Sequence, residues 1–157
     1  MKIQLWSLGK NNEPYVKEGV ALFTQRLNHY FPTEWKIIPQ PRNTASLPPE
    51  EQKNKEAESI LALLKKDDYL VLLDERGKMM NNEALAQFLQ ARANASEKMI
   101  VFLVGGAFGV NDAMKQRANF TWSLSPLVFP HQLMRLMLAE QLYRACTILK
   151  NEKYHHT

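Results

Sequence analysis

The sequence predicts an α/β domain: a mainly parallel sheet with helices on both faces. Strand-like and helix-like segments alternate along the whole chain, in the order expected of repeated strand–helix–strand units. Two apolar runs, at 68–74 and 98–104, are continuous enough to be strands that are buried on both faces. The length of 157 residues suits one domain, so a single domain over 1–157 is expected.

The chain is expected to begin with a strand at 2–8, in which Ile3 and Leu5 share one face. A helix is predicted at 14–30, with proline as a favourable first-turn residue. Its apolar residues recur at steps of three and four and form one stripe: Val16, Val20, Phe23, Leu27 and Tyr30.

The next segments are predicted as a short strand at 34–38, a loop and a helix. Four of the eight prolines fall within 39–49, which predicts an irregular loop. A polar helix is expected at about 49–65. The first buried strand is then expected to end in a turn at 75–78, where Gly77 supplies a positive φ.

The second half continues the alternation. An asparagine N-cap predicts a helix at 82–94. After the second buried strand, a short helix at 111–118, a strand at 120–124 and a last helix at about 130–150 are expected.

The last helix is apolar on nearly every side, which is typical of a helix that is buried on more than one face. Its apolar residues are Leu133, Met134, Leu136, Met137, Leu138, Leu142, Tyr143, Cys146, Ile148 and Leu149. It is either a central helix of the monomer or a contact of a homodimer, and the dimer is the more economical explanation.

Composition excludes several classes of protein. One cysteine cannot form an internal disulfide or a cysteine zinc cluster, and the histidines lack ligand spacing, so no metal is expected. No run approaches the ~20 apolar residues of a membrane span, so we expect a cytoplasmic protein without membrane contact. The net charge of +4 is concentrated in 101–157, which carries +3; this is either an anion-binding surface or a slightly basic one.

Two glycine-containing motifs follow the buried strands. The segment LVGGAFG at 103–109 lacks the spacing of a dinucleotide fingerprint and of a P-loop. It is either a close approach of backbone to a ligand or a plain tight turn. The segment LLDERGK at 72–78 places polar groups at the rim of the sheet, or forms a solvated turn.

The start of the last helix carries His131 and Arg135, four residues apart on one face. They form either an anion site at a helix N-terminus or, for His131, a buried and satisfied histidine. Arg144 lies half a turn away from Arg135 and pairs with Glu140. Cys146, among apolar neighbours, is expected to be an inert thiol.

The C-terminal tail combines a cation, an aromatic ring and two imidazoles in Lys153, Tyr154, His155 and His156. This combination suits RNA contact, although a terminal tail is more often frayed.

Seven segments together carry a resemblance to a known family. They are MKIQLWSLGK at the start, LLDERGK, VFLVGGAFG, WSLS, FPHQLMR, EQLYRA and YHH near the end. In this order and at this length, the chain resembles the ribosomal RNA large subunit methyltransferase H family of the SPOUT class.

The resemblance implies a C-terminal trefoil knot, a homodimer and bound S-adenosyl-L-methionine. It implies methylation of N3 of a pseudouridine in a 23S rRNA stem-loop at the ribosomal subunit interface, within the large subunit or the assembled ribosome. The implied cofactor-binding residues are Leu73, Gly105, Leu124, Ser125, Pro126, Leu127, Val128 and Phe129.

The catalytic roles are hypotheses. His131 and His155 are the candidate general bases, Arg135 or Arg144 would stabilise charge on the base carbonyls, and Tyr154 would stack on the base. In the family, an arginine often follows the Tyr-His pair; in this chain His156 stands at that position.

Two other functions compete with this one. A nucleotide-dependent enzyme of ordinary doubly wound fold would bind NAD or ATP, and the missing fingerprint counts against it. A non-catalytic ribosome-binding protein of the same fold would bind ribosomes without methyl transfer.

Overall fold

The protein is described by a computed structural model that covers residues 1–106 and 108–156. Five strands form one parallel sheet in the order β2-β1-β4-β3-β5. The strands are β1 (Lys2–Leu8), β2 (Thr33–Ile38), β3 (Tyr69–Met79), β4 (Met99–Val104) and β5 (Phe120–Ser123). The helices are α1 (Pro14–Leu27), α2 (Pro49–Leu61), α3 (Asn82–Asn94), α4 (Asp112–Arg117) and α5 (His131–Leu149). The α/β prediction with helices on both faces is confirmed.

The helices cover the two faces of the sheet as two separate apolar layers. One layer packs α1, α3 and α5 against alternate strand residues, such as Ile3 and Leu5 of β1. The other packs α2 and α4 against the residues between them, such as Trp6 and Leu8. The connections through α1 and α3 run towards the β2 edge of the sheet, and both helices lie on one face. The connections through α2 and α4 run towards the β5 edge, and both helices lie on the other face. This is the arrangement expected when all strand–helix–strand crossovers share one hand.

Local signals set most of the element boundaries. The Asn81 side chain caps α3 by accepting a hydrogen bond of 2.8 Å from the Ala84 amide, as expected for a helix at 82–94. Helices α1 and α2 end three and four residues earlier than the hydrophobic pattern predicts, at Leu27 and Leu61. The prolines of 39–48 do form an irregular connection.

The turn expected at 75–78 is wrong. Strand β3 continues to Met79, with a register shift against β5 between Leu73 and Lys78. Gly77 does not have a positive φ. It is required for a different reason, because a Cβ atom there would lie 2.7 Å from the backbone carbonyl of Thr121 and 2.8 Å from the Trp122 amide nitrogen. The missing side chain lets β5 approach the second half of β3.

Helix α5 packs against α1, α3 and the sheet, which makes it central within the monomer. Its buried residues include Leu138, Ala139 and Leu142, whereas Leu133 and Met137 are only partly buried. Among the described residues, no helix is long and apolar enough to cross a membrane. The knot implied by the resemblance stays a prediction, because strand order and register identify neighbours and not the threading of the chain.

The parallel direction of the strands determines where the loops that follow them lie. Strands β4, β3 and β5 are neighbours, so their carboxyl ends meet at one edge of the sheet. The segments that follow them, and the start of α5, are therefore brought together there. Ligands of open α/β sheets bind beyond this edge.

We expect Gly77→Ala to lower the free energy of unfolding by about 1–3 kcal/mol, because the new methyl group would collide with rigid backbone of β5. Urea unfolding followed by circular dichroism measures this. Gly19→Ala is the matched control, since its Cβ would meet only the flexible side chain of Leu136. A loss no larger than that of the control would contradict the packing argument.

Candidate active site

A cavity of about 320 Å³ lies at the carboxyl edge of the sheet. Residues of β3, β4 and β5, residues 105–106 and 108–110, the loop 124–129 and the first turn of α5 line it. Seven of the eight cofactor residues implied by the resemblance are in its wall: Leu73, Gly105, Leu124, Ser125, Leu127, Val128 and Phe129. Pro126 is exposed and is not part of the wall. The volume is at the lower end of the range for small-molecule sites.

The wall is mainly apolar, and part of it is open to solvent. Phe108, Leu127 and Val128 are 50%, 67% and 78% exposed, and all three line the cavity. The loop that carries Leu127 is shaped by the Ser125 hydroxyl, which accepts a 3.0 Å hydrogen bond from the Leu127 amide. Large exposed apolar side chains around a cavity are typical of a surface that a ligand or a partner covers.

The glycine segment after β4 forms a tight turn and also lines the cavity. The Gly109 amide donates to the Gly106 carbonyl at 3.1 Å, and Gly109 has a φ of 82°. Gly106 packs against the carboxylate of Glu56, whose Oε1 would lie 2.5 Å from a Cβ atom at this position. The tight turn is therefore confirmed, and the approach of this backbone to a ligand stays a prediction.

Glu56 itself was not predicted from the sequence. It is 3% exposed on α2, and burial raises its pKa. Gln40 donates to its Oε2 at 3.2 Å, while Oε1 has no hydrogen-bond partner among the described residues. A glutamate in a polar helix gives no local signal that it is buried under a turn 50 residues further along the chain.

His131 faces the cavity from the first turn of α5. Burial and the nearby Arg135 lower its pKa, and the Gly106 backbone opposes this shift in part. A neutral histidine that donates through one nitrogen keeps the other as an acceptor. The ring therefore has a basic nitrogen available at neutral pH.

Arg135 does not share a site with His131. It is 1% exposed and holds the connection between β1 and α1. Its Nε donates to the Ser7 hydroxyl at 2.7 Å, and its Nη1 donates to the Lys10 carbonyl at 2.8 Å and to Asn12 Oδ1 at 3.0 Å. The anion site expected from the pair His131 and Arg135 is wrong, because the guanidinium is used for this internal contact.

The tail is ordered against the far end of α5. The guanidinium of Arg144 forms an ion pair with Glu140, as predicted, and lies 4.7 Å from the ring centroid of Tyr154. The Tyr154 hydroxyl donates to Glu140 Oε1 at 3.0 Å. His155 Nδ1 is 3.3 Å from Arg144 Nη1. We call Glu140, Arg144, Tyr154 and His155 the tail cluster.

The contact with Arg144 defines the tautomer of His155. A guanidinium can only donate, so Nδ1 accepts and the neutral ring carries its proton on Nε2. That nitrogen lies 3.6 Å from Glu83 Oε1 on α3. Lys153 and His156 are exposed beside the cluster.

The cavity and the tail cluster lie at opposite ends of α5. His131 and Arg144 are 13 residues apart, which is about 20 Å along a helix. No tail-cluster residue lines the cavity in the described part of the chain. One chain therefore brings His131 together with the cofactor-binding segments, and separately brings Arg144 together with Tyr154 and His155.

The single cysteine lies in the interior of the protein. Cys146 is 1% exposed, and burial raises its pKa to about 12, so it is the inert thiol expected. Among residues 1–106 and 108–156, no group of three or more His, Cys, Asp or Glu side chains could hold a metal ion.

Comparisons with known proteins show the family of this chain. A family model described as "Predicted SPOUT methyltransferase" matches residues 1–155. A protein of Cytophaga hutchinsonii named "Ribosomal RNA large subunit methyltransferase H" is 46% identical over 99% of this chain and 100% of its own length. Proteins of the same name from Parabacteroides distasonis and Alkaliphilus oremlandii are 43% and 40% identical, each over 99% of both chains.

A solved structure shows the same fold. It is a probable methylase family protein from Haemophilus influenzae Rd KW20, with a TM-score of 0.54, which covers 99% of this chain and 70% of that one. At 11% sequence identity the likeness concerns the fold alone. The full-length family match and the identities to the relatives show that this chain belongs to the SPOUT methyltransferase family.

Proposed function

We propose that the protein transfers a methyl group from S-adenosyl-L-methionine to N3 of a pseudouridine in a 23S rRNA stem-loop at the ribosomal subunit interface. The observation that carries the proposal is the cavity at the carboxyl edge of the sheet, with a neutral His131 in its wall. Relatives named for methylation of large-subunit ribosomal RNA support the class of substrate.

The residues of the cavity fit S-adenosylmethionine. Apolar side chains at Leu73, Leu124 and Leu127 can enclose an adenine ring, and the glycine turn exposes backbone groups beside them. The cofactor has no pyrophosphate, which agrees with the absence of a phosphate-binding motif from the sequence. When bound, S-adenosylmethionine supplies a methyl group on a positively charged sulfur.

His131 is the proposed general base. N3 of pseudouridine is an imide nitrogen between two carbonyls, so its proton is weakly acidic. In the reaction the N3–H bond and the S–CH₃ bond of the donor would break and an N3–CH₃ bond would form. The proton would go to an imidazole nitrogen of His131, and the donor sulfur would keep the S–C electron pair, which leaves S-adenosylhomocysteine as a neutral thioether. His131 lines the cavity together with the implied cofactor-binding residues, as this role requires. No cysteine adduct is needed, which agrees with the inert thiol of Cys146.

A homodimer would complete the site. The tail cluster lies about 20 Å from the cavity of its own chain. A two-fold arrangement with opposed α5 helices would place it near the cavity of the partner subunit. The partly buried Leu133 and Met137, and the exposed Leu127 and Val128, supply apolar surface for such a contact.

The tail cluster would then hold the RNA base. Tyr154 offers a ring for stacking, and Arg144 offers a cation for the negative charge that develops on the base carbonyls as N3 loses its proton. His155, with its proton on Nε2, would donate to the base or position Arg144. Lys153 and His156 are exposed and can meet phosphates. A ribosomal substrate places the reaction in the cytoplasm.

Removal of the proposed base should slow the reaction without loss of cofactor. We expect His131→Ala to lower methyl transfer to ribosomes that lack the modification by about 10²–10⁴-fold. Calorimetric affinity for S-adenosylmethionine should change little. His29→Ala, at an exposed position after α1, is the control. Wild-type rates in His131→Ala would contradict the assignment of the base.

The pH dependence has a defined sign. Because burial lowers the pKa of His131, the base stays neutral to lower pH than a free histidine, whose pKa is ~6.5. The rate of the wild-type enzyme should therefore be constant through neutral pH and decline only below that value. The acid limb should be missing from the residual rate of His131→Ala. If the rate of the wild-type enzyme already declined at or above pH ~6.5, the buried neutral state of His131 would be contradicted.

Mixed dimers test whether two chains share a site. We expect His131→Ala and Tyr154→Ala homodimers to be weakly active. The two variants would be co-expressed with different affinity tags, and mixed dimers would be purified by both tags in turn. In a mixed dimer, one of the two sites combines an intact cavity with an intact tail. About half of the wild-type rate should return. If each chain contained its own complete site, the mixed dimers would be as inactive as the parents.

The same reagents separate the two competing functions. Binding of NAD or ATP in place of S-adenosylmethionine would favour an ordinary nucleotide-dependent enzyme. Ribosome binding without transfer of a labelled methyl group would favour a non-catalytic protein of the same fold.

A further inference from the structure

The charged side chains of the cavity are confined to one segment. Among the described residues that line it, the ionisable ones are Asp74, Glu75, Arg76 and His131. His131 is neutral at neutral pH, so the charges belong to the last part of β3. The remaining wall is made of apolar side chains, glycines and one serine.

Asp74 is buried but ionised. Its side chain is 8% exposed. Burial opposes ionisation, but the hydrogen bonds from Arg76 and the nearby Lys115 outweigh it and lower the pKa. Asp74 Oδ1 accepts from the Arg76 amide at 2.9 Å and from its Nε at 3.3 Å, and Oδ2 accepts from Nη2 at 3.2 Å. The cavity therefore contains a carboxylate fixed in place by one neighbour.

Arg76 crosses the mouth of the cavity. Its side chain is 66% exposed, and its Nη2 lies 4.0 Å from the position that a Cβ atom would take on Gly109. The guanidinium thus extends from the second half of β3 towards the glycine turn. Nη1 has no hydrogen-bond partner among the described residues, so the guanidinium retains donors for a further anion.

A purely structural role explains this arrangement poorly. An ion pair with one exposed partner contributes only about 0–1 kcal/mol to stability. The interactions with Arg76 and Lys115 offset the burial of the Asp74 carboxylate, and the exposed guanidinium adds little stability beyond that. A paired carboxylate and guanidinium in a cavity have a clear alternative use, because together they complement a ligand that carries both an ammonium and a carboxylate.

We propose that Asp74 and Arg76 form the subsite for the α-amino-acid end of the methyl donor, with Asp74 accepting from the ammonium and Arg76 donating to the carboxylate. This proposal rests on the proposed function. In the empty cavity the two side chains neutralise each other. A ligand with both groups exchanges the internal ion pair for two new ones, so neither Asp74 nor Arg76 is left without a partner of opposite charge.

Ligands with and without the amino-acid end provide the test. S-adenosylhomocysteine carries the ammonium and the carboxylate, whereas 5′-methylthioadenosine has the same nucleoside and thioether without either. Calorimetry should measure both affinities for the wild type, for Arg76→Gln and for Asp74→Asn. Lys55→Gln is the control, since its ion pair with Glu58 is exposed and lies on α2.

We expect both variants to bind S-adenosylhomocysteine about 10- to 100-fold more weakly, the range that charge-assisted hydrogen bonds supply. Their affinity for 5′-methylthioadenosine should stay within about twofold of the wild type. The Lys55→Gln protein should match the wild type for both ligands. Retained binding of 5′-methylthioadenosine also reports that the cavity of each variant is folded.

Other outcomes overturn the proposal. An equal loss for both ligands would show that Asp74 and Arg76 only shape the cavity. Unchanged affinity for S-adenosylhomocysteine in Arg76→Gln, which alters an exposed side chain, would overturn the subsite while the proposed function stands. Failure of the wild type to bind S-adenosylmethionine at all would overturn the proposed function and the subsite with it.

Discussion

The packing of α5 onto the sheet is the constraint on which the rest of the structure depends. Leu138 and Leu142 close the apolar layer beneath α1 and α3, and this burial fixes the position of the helix along the strands. The fixed helix then presents His131 to the cavity and Arg135 to the connection after β1. It also presents Arg144 to the tail. A single hydrophobic contact surface therefore positions three polar contacts that are distant from one another in the chain.

Three polar groups near the cavity differ in their ionisation. Burial lowers the pKa of His131 and keeps its imidazole neutral at neutral pH. Burial also favours the neutral form of Glu56 on the opposite side of the same turn. Asp74 stays ionised because Arg76 compensates the cost of its burial. A small apolar cavity thus combines a neutral base with a paired charge, and each state follows from the immediate neighbours of the group.

Sequence patterns predicted the elements well, because strand and helix periodicities depend on local burial. They predicted the wrong end for β3, since the need for glycine at position 77 comes from Thr121, which lies 44 residues further along the chain. The segments around the cavity could be identified from their places after strands, as could Glu140 and Arg144 from their spacing. The contacts of Arg135 with Lys10 and Asn12, and the contact of Gly106 with Glu56, depend on tertiary packing. No local pattern in the sequence contains that information.

Helix α5 also acts as a rigid spacer. An α-helix advances ~1.5 Å and rotates about 100° with each residue. One inserted or deleted residue between His131 and Arg144 would rotate one end out of its contacts, even if every side chain were kept. The irregular connection at 39–48 carries no comparable geometric requirement. Changes of chain length in this protein are therefore permitted by the loops and forbidden by the helix, whatever the composition of the inserted residues.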